Sequence, residues 1–341
     1  MAGNVIVGQS GGPTAVINSS LAGVFKTAQD LGAEKIYGMR YGIQGFLEKN
    51  IIDMSEKIRS DMDLELLKRT PSSFLGSCRY KLPDICDDRD LYNRIFEILN
   101  EYGITAFFYI GGNDSMDTIK KLSDYAILMN SPIRFIGVPK TIDNDLAVTD
   151  HTPGFGSAAK YIASATKELI RDGLVYDVKN VTIIEIMGRN AGWLTGAAAL
   201  AHCEDCEGVD LLYLPELPFD VDIFLDKIRQ IQKTKKSVVV AVSEGIKTTD
   251  GKYVFEHGQH TEYVDSFGHK QLSGTAKYLS VLVSEKIGCK SRAIELSTLQ
   301  RCAGHLTSRV DITEAYQVGG YAVKSAFEGE TGKMVILKSC L

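Results

Sequence analysis

The sequence lacks the features of a membrane-spanning, secreted or nucleic-acid-binding protein. No apolar run approaches the roughly 20 residues that span a bilayer as a helix. The first residues, MAGNVIVG, show neither the basic segment nor the cleavage site of a signal peptide. A net charge of -5 over 341 residues argues against a basic surface for nucleic acid. We therefore expect a cytoplasmic protein without a membrane or nucleic-acid partner.

Cysteine is present, but it is not arranged for disulfides or for a zinc site. Seven cysteines, an odd number in apolar or mixed surroundings, suit a reducing compartment. Cys203 and Cys206 form one CxxC, and a second pair at zinc-binding spacing is missing. The acidic neighbours Glu204, Asp205 and Glu207 disfavour a reactive thiolate. The role of this CxxC stays open, and a structural one is favoured.

The common nucleotide-binding signatures are also missing. No GxGxxG follows a predicted strand, which argues against a dinucleotide-dependent oxidoreductase, and no GxxxxGK[ST] marks a P-loop. Gly11 and Gly12 do lie between the first strand, NVIVG (4–8), and a helix, where backbone N–H groups can bind phosphate. A tight turn without a ligand is the alternative explanation of these two glycines.

What the sequence does contain is a repeated alternation of apolar strands and amphipathic helices. The predicted strands are NVIVG (4–8), KIYGMR (35–40), TAFFYIGG (105–112), FIGV (135–138), VTIIEIMG (181–188), LLYLPE (211–216), SVVVAVSEG (237–245), RAIELS (292–297) and KMVILK (333–338). Such alternation predicts an α/β fold with two lobes, each a mostly parallel, doubly wound sheet flanked by helices. We place the first lobe at residues 1–155, completed by about 302–341, and the second at 156–301.

The stretch RFIGVPKTIDND (134–145) organises the first lobe. A buried strand stops at a proline, and Lys140, Thr141, Asp143 and Asp145 follow it. In an open parallel sheet, the carboxyl edge where these residues fall is the place where ligands bind. Two carboxylates at alternate positions are stabilised by a cation, a metal or a substrate hydroxyl. The alternative is a polar turn with Asx-type hydrogen bonds.

A second polar stretch follows the strand at 105–112. Gly111 and Gly112 let the backbone approach a ligand, and Asp114 comes immediately before the next helix. Capping of that helix by Asn113 or Ser115 is the alternative reading of this stretch.

Arginines occur where an anionic ligand is expected. Arg79 lies in the loop SSFLGSCRY, although a solvated surface arginine is its default interpretation. Arg189 and Glu244 follow strands of the second lobe, and Arg292 and Arg301 flank the strand end in RAIELSTLQR. If the strand ends of both lobes face one cleft, these charges and the carboxylates of TIDND suit an anionic, hydroxylated substrate, typically a sugar phosphate.

Taken together, the motifs resemble those of the phosphofructokinase family. SGGP, FLGSCR, IGGNDS, PKTIDND, EIMGRNAGWLT, VSEG and RAIELSTLQR occur in the family's order and at its spacing, over about residues 4–335. The resemblance implies phosphoryl transfer to the 1-hydroxyl of fructose 6-phosphate, with Mg²⁺ as cofactor. It also implies a reversible reaction and a homodimer or homotetramer. The first lobe would bind the phosphoryl donor and the second the fructose 6-phosphate.

The resemblance also implies roles for individual residues. Asp143 would be the general base, with Thr141 beside it and Asp145 in support. Arg189 would stabilise the transferring phosphoryl group, and one of the arginines that hold the 6-phosphate would come from a neighbouring subunit. Thr298 stands where many members have histidine or tyrosine. The implied substrate-binding residues are Thr141, Asp143, Asp145, Met187, Gly188, Arg189, Glu244, Arg292, Thr298 and Arg301.

Two positions of the donor site separate the branches of the family. ATP-using members have glycine at the positions of Asp114 and Lys140, so this chain resembles the pyrophosphate-dependent branch. An aspartate at 114 would repel the α-phosphate of a nucleotide, and Lys140 would stabilise the phosphate leaving group. Gly12 and Arg79 would meet the donor phosphates. Asn113 replaces an acidic residue, so the metal would be held more by pyrophosphate and water than by the protein.

Two alternatives remain open at this point. An ATP-dependent 6-phosphofructokinase differs only in the donor, which a comparison of pyrophosphate with ATP distinguishes. A non-catalytic sugar-phosphate sensor on the same fold is the second alternative. Asp143, Arg189 and Arg301 argue against the sensor, because a protein that only binds the sugar has no need of a base at its hydroxyl.

Overall fold

The computed structural model describes residues 3–258 and 272–339, and the chain divides into two compact units. Unit 1 comprises Met1–Ser157 and Arg301–Leu341, and unit 2 comprises Ala158–Gln300. This division places Arg301 in unit 1. Each unit is built on its own sheet with helices packed against it, so the α/β fold predicted from the strand–helix alternation is confirmed.

Ten strands are formed by the described residues. They are β1 (Asn4–Gln9), β2 (Ile36–Met39), β3 (Ile51–Asp53), β4 (Ile104–Gly111), β5 (Arg134–Pro139), β6 (Asn180–Ile186), β7 (Leu211–Tyr213), β8 (Ser237–Ser243), β9 (Lys290–Glu295) and β10 (Lys333–Met334). The helices are α1 (Ile17–Asp30), α2 (Gly42–Leu47), α3 (Asp61–Arg69), α4 (Arg89–Glu101), α5 (Asn113–Leu128), α6 (Phe155–Gly173), α7 (Trp193–Ala197), α8 (Val221–Ile231), α9 (Thr275–Ile287), α10 (Leu299–Cys302) and α11 (Arg309–Phe327). None of the helices in the described ranges is long and apolar enough to cross a membrane.

The sheet of unit 1 has six strands in the order β10-β5-β4-β1-β2-β3. Its strands pair in parallel, apart from β3, which runs antiparallel to β2. The central strand β4 is apolar from Ala106 onward, and helices cover both of its faces. Phe108 packs in the cluster with α1 and α11, whereas Phe107 packs in the cluster with α4 and α5. Full burial of one such side chain stabilises the fold by about 1.5–3 kcal/mol.

Helices α1 and α11 pack against each other through glycines. A Cβ atom at Gly23 would lie 2.0 Å from the Tyr316 carbonyl oxygen, and one at Gly319 would lie 2.1 Å from the Ser20 carbonyl oxygen. The Ser19 hydroxyl donates to the Ile312 carbonyl at 2.7 Å across the same contact. The two helices therefore approach to a distance that only glycine permits at these positions.

The sheet of unit 2 has four parallel strands in the order β7-β8-β6-β9. The core on one face joins β6 and β8 to α8 and α9. Because β6 and β8 are neighbours, the residues after their carboxyl ends come out side by side. This arrangement brings together the predicted site residues that follow these two strands.

Three strands are shifted or shorter than the sequence pattern predicts. Strand β9 begins at Lys290 and ends at Glu295, so Arg292 lies inside it rather than beside its carboxyl end. Strand β7 ends at Tyr213, just before the segment that contains Pro215. In KMVILK only two residues are in β10, because Leu337 instead donates its N–H to the Thr149 hydroxyl at 3.0 Å.

Candidate active site

The carboxyl ends of β1, β4 and β5 meet at one edge of the unit 1 sheet. Backbone hydrogen bonds join these strand ends. The Ser10 N–H donates to the Ile110 carbonyl oxygen at 2.9 Å, and the Lys140 N–H donates to the Gly111 carbonyl oxygen at 3.0 Å. Parallel strands bring these loops together because their carboxyl ends all point the same way. The polar stretches that the sequence placed after these strands are therefore neighbours in unit 1.

Lys140 is the buried cation at this edge. Its side chain is 4% exposed, and Nζ donates to the Gly12 carbonyl oxygen at 2.7 Å. Burial lowers the pKa of Lys140 from 10.5 to about 8, attraction by Asp143 opposes that shift, and repulsion by Arg301 and Arg79 adds to it. A lysine buried beside two guanidinium groups creates a strongly positive local field, which favours a bound anion.

The two glycines after β1 leave room for this cationic group. Gly11 has φ +74, and a Cβ there would lie 3.3 Å from Lys140 Nζ. A Cβ at Gly12 would lie 2.7 Å from Arg301 Nη1. Any larger residue at these positions would push the cations away. The two glycines thus lie directly beside the side chains of Lys140 and Arg301.

Arg79 is held near this group by its loop. The Gly11 N–H donates to the Cys78 carbonyl oxygen at 3.1 Å, and the Ser77 hydroxyl donates to the Gly11 carbonyl oxygen at 2.6 Å. Arg79 itself is exposed, and its charge acts on Lys140.

The carboxylates of TIDND lie in the loop after β5. The Asp143 N–H donates to the Thr141 hydroxyl at 3.1 Å. This bond forms a polar turn of the kind described above as the alternative to a ligand site. Asp145 accepts a hydrogen bond of 2.9 Å from the Asn113 amide, and burial raises the pKa of Asp145. The turn and a ligand site are compatible here, because both carboxylates lie near the charge of Lys140.

Asp114 lies in the first turn of α5, where the helix dipole favours a negative charge. The N-cap of α5 is Gly112, and it has no side-chain hydrogen bond. Capping by Asn113 or Ser115 is therefore not what the structure shows. Within residues 3–258 and 272–339, no ion pair joins Asp114 to Lys140, so a local salt bridge does not explain why both residues are present.

In unit 2, the segment after β6 is held by its neighbours. The Met187 N–H donates to the Gln300 side-chain oxygen at 3.1 Å, and the Gly188 N–H lies 3.4 Å from the Glu244 carboxylate. The Ser243 hydroxyl donates to the Gly188 carbonyl at 2.6 Å. Gly188 has φ +133, and a Cβ there would lie 2.4 Å from the Ala191 carbonyl oxygen. The segment that leads to Arg189 is therefore fixed.

Two buried side chains of this region do not appear among the predicted site residues. Gln300 is 2% exposed and holds Met187. Glu185 is 5% exposed, and its carboxylate accepts from the Ala276 N–H at the start of α9 at 2.7 Å. Burial raises the pKa of Glu185 from 4.5 to about 7, and repulsion by Glu295 on the neighbouring strand adds to the rise. A carboxylate inside the apolar run VTIIEIMG was the signal that could have revealed Glu185.

Arg292 and Thr298 are placed differently from each other. Arg292, inside β9, pairs with Asp172 at 3.0 Å, and its side chain is 38% exposed. Thr298 is exposed between β9 and α10. The idea that Arg292 flanks a strand end is wrong, because the strand starts two residues before it.

The geometry of unit 1 defines a class of protein. Cations gathered at the carboxyl edge of a parallel sheet, with carboxylates in the adjoining loop, serve phosphoryl transfer, since that chemistry depends on positioning and on charge stabilisation. The chain is a phosphotransferase.

It belongs to the phosphofructokinase family. The family model described as Phosphofructokinase matches residues 4–326. A pyrophosphate–fructose 6-phosphate 1-phosphotransferase of Xanthomonas campestris is 43% identical over 338 residues, which are 98% of this chain and 79% of that protein. The enzyme of the same name from Halomonas elongata is 40% identical over 339 residues, 98% of this chain and 80% of its own length. The crystal structure of a pyrophosphate-dependent phosphofructokinase from Marinobacter aquaeolei is similar with a TM-score of 0.86 and 37% identity, covering 99% of this chain and 79% of that one.

Proposed function

We propose that this chain transfers a phosphoryl group from pyrophosphate to the 1-hydroxyl of fructose 6-phosphate, giving fructose 1,6-bisphosphate and phosphate in a reversible reaction. The names of the relatives support this function. The observation that carries the choice of donor is the buried Lys140, which meets the Gly12 carbonyl and does not pair with Asp114.

The donor site is assigned to the cations around the β1 loop. Lys140, with Arg79 nearby, supplies positive charge to the pyrophosphate and to the phosphate that leaves. Gly12 keeps the loop open for this anion, because a side chain there would meet Arg301. Asp114 carries a negative charge that disfavours the α-phosphate of a nucleotide. These charges together favour the small donor over ATP.

The base is assigned to Asp143. An ordinary aspartate is ionised at neutral pH, so its carboxylate can take the proton of the 1-hydroxyl as that oxygen attacks the phosphorus. The Thr141 hydroxyl accepts a hydrogen bond from the Asp143 N–H. Asp145 supplies a second carboxylate in the same loop and accepts a hydrogen bond from Asn113.

The contacts with the sugar phosphate are assigned residue by residue, as the family resemblance implies. Arg189 stabilises the transferring phosphoryl group, and Glu244 accepts from sugar hydroxyls. Arg301 and Arg292 bind the 6-phosphate, and the exposed Thr298 lies in the same stretch of chain as both arginines. The set of substrate contacts is completed by Thr141, Asp143, Asp145, Met187 and Gly188.

The residues near the donor fit a magnesium ion. The Asp145 carboxylate and the Asn113 amide oxygen are hard oxygen donors, the type that Mg²⁺ prefers, and this ion commonly keeps water and substrate phosphates as its other ligands. Among the described residues, no group of three acidic, histidine or cysteine side chains could hold a metal ion by itself. When bound, Mg²⁺ neutralises charge on the phosphate oxygens.

We also propose that the enzyme works in the cytoplasm as a homodimer or homotetramer. This proposal rests on the family resemblance, which implies that one of the two arginines that hold the 6-phosphate, Arg292 or Arg301, comes from a neighbouring subunit. Light scattering during size-exclusion chromatography gives the mass, and a monomer at assay concentration would contradict the assembly.

A donor comparison tests the function. With fructose 6-phosphate and Mg²⁺, we expect turnover with pyrophosphate and little or none with ATP. Asp114→Gly should raise ATP use from a low base and lower pyrophosphate use. Asp90→Gly is a matched control, because Asp90 occupies the first turn of α4 as Asp114 does in α5. Equal kcat/KM for the two donors in the unmodified protein would exclude the proposed preference.

A further inference from the structure

The loop that carries Asp143 is fastened on both sides by one buried threonine. The Thr152 hydroxyl donates to the Thr141 carbonyl oxygen at 2.8 Å, and the Thr152 N–H donates to the Asn144 side-chain oxygen at 3.0 Å. Thr152 is completely buried. One bond therefore acts two residues before Asp143 and the other one residue after it.

Asn144 has a backbone conformation that few residues adopt. Its φ is +55, in the left-handed region, where asparagine is tolerated better than other residues with a Cβ atom. The conformation turns the chain sharply between Asp143 and Asp145. The bond from the Thr152 N–H to the Asn144 side chain holds the turn in place.

The segment that carries the threonine is anchored to the body of unit 1 by Asp311. Gly154, which forms a parallel bridge with Thr141, donates its N–H to one Asp311 oxygen at 2.8 Å. The Ser157 N–H donates to the other oxygen at 2.9 Å, and Asp311, in the first turn of α11, is 2% exposed. The segment 152–157 is thus a rigid support for the loop.

We propose that Thr152 and Asn144 are positioning residues, which hold the loop so that the Asp143 carboxylate keeps the direction required to take the substrate's hydroxyl proton. The inference rests on the role proposed above for Asp143. Neither residue is assigned a contact with either substrate. A displacement of about 1 Å in a reacting group lowers turnover by about 100-fold, so small movements of this loop matter.

Removal of the Thr152 hydroxyl tests the first bond. Thr152→Val keeps the shape of the side chain and should lower kcat by about 10- to 100-fold, while the KM for fructose 6-phosphate stays within about twofold. Thr152→Ser keeps the hydroxyl and should restore turnover. Thr149→Val is the matched control, because the Thr149 hydroxyl joins His151 and Leu337 and should leave kcat unchanged.

Removal of the Asn144 side chain tests the second bond. Asn144→Gly keeps the left-handed backbone accessible and deletes the acceptor, so kcat should fall while KM is retained. Asn130→Gly is its control, since Asn130 has φ +50 after α5 and lies outside the loop. Thermal midpoints of all variants separate a positioning effect from a loss of fold.

A double variant decides whether Thr152 acts through Asp143. In an Asp143→Asn background, Thr152→Val should cause no further loss of kcat, because the group that it positions is already disabled. An equal loss in both backgrounds, or unchanged kcat in Thr152→Val alone, overturns the inference. The series uses whichever of pyrophosphate and ATP supports wild-type turnover. If pyrophosphate does not support turnover of the wild type, the proposed donor is refuted. The positioning role of Thr152 is decided separately, by the kcat values of the variants.

Discussion

The charge state of Lys140 should control the use of pyrophosphate. The pKa of Lys140 is lowered to about 8, so in the free enzyme a growing fraction of this lysine is neutral above pH 8. We expect kcat/KM for pyrophosphate to fall as the pH rises through this value. A bound anion favours the charged lysine, so the fall in kcat should occur at higher pH than the fall in kcat/KM.

The free-energy cost of charging Lys140 follows from the burial of its side chain. A pKa of about 8 in place of 10.5 corresponds to a cost of about 3 kcal/mol for burying the charged form. Between about pH 8 and pH 10.5 the unfolded chain binds a proton at Lys140 that the folded chain has released. The contribution of Lys140 to stability therefore becomes more favourable as the pH rises through this range. Lys140→Met relieves this cost but leaves the Gly12 carbonyl without its donor, which costs about 1–3 kcal/mol. The variant should therefore fold.

Steady-state assays from pH 6.5 to 10 test this reasoning. Lys140→Met should lower kcat/KM for pyrophosphate by about 10²–10³, the usual loss for one preorganised charge-stabilising group. It should also lose the basic limb of the wild-type profile. Any limb that the variant keeps belongs to the ionisation of pyrophosphate itself, which is common to both proteins. A wild-type profile identical in shape to that of Lys140→Met would refute the assignment.

Further substitutions test the other roles. Asp143→Asn should fold and bind fructose 6-phosphate, and it should lose about 10²–10⁴-fold in kcat; turnover within a few-fold of wild type would contradict the base. Arg301→Ala and Arg292→Ala should each raise the KM for the sugar more than they lower kcat, because the 6-phosphate is bound in ground and transition states alike. An unchanged KM with a collapsed kcat would move that arginine to the transferring phosphoryl group. Glu185→Gln should raise the unfolding free energy by up to about 3 kcal/mol at pH 8 and leave it unchanged at pH 4. The reason is that the raised pKa of Glu185 makes the wild type lose stability between pH 4.5 and 7. Equal denaturation midpoints of the two proteins at pH 8 would argue against a buried charge.

The fold could be predicted from the sequence because its central strands are buried on both faces. Segments such as NVIVG and TAFFYIGG are continuous apolar runs between helices, and the structure has β1 and β4 there. The start of β9 could not be predicted in the same way. Its first residues, Lys290 to Arg292, are polar and lie on a partly exposed strand, so the apolar pattern begins only after the strand has begun.

The grouping of Lys140 with the carboxylates of TIDND could be predicted from the sequence, but the hydrogen bonds that support their loop could not. Lys140 and the carboxylates of TIDND follow directly from their place after a buried strand. Thr152 and Gln300 act through single hydrogen bonds to residues that are distant in sequence or on other elements, and no local pattern marks such bonds. The left-handed backbone of Asn144 is likewise invisible in the sequence, because asparagine is common in ordinary turns.

The glycine contact between α1 and α11 has a consequence for how this chain can vary. Helix α1 comes shortly after the loop of Gly11 and Gly12, and the first turn of α11 carries Asp311. A methyl group at Gly23 or Gly319 would force the two helices apart and so disturb the loop before α1 and the segment that Asp311 holds. Positions with no proposed chemical role are thereby constrained by packing alone. Sequence drift in these two helices should accordingly be slowest where their side chains are smallest.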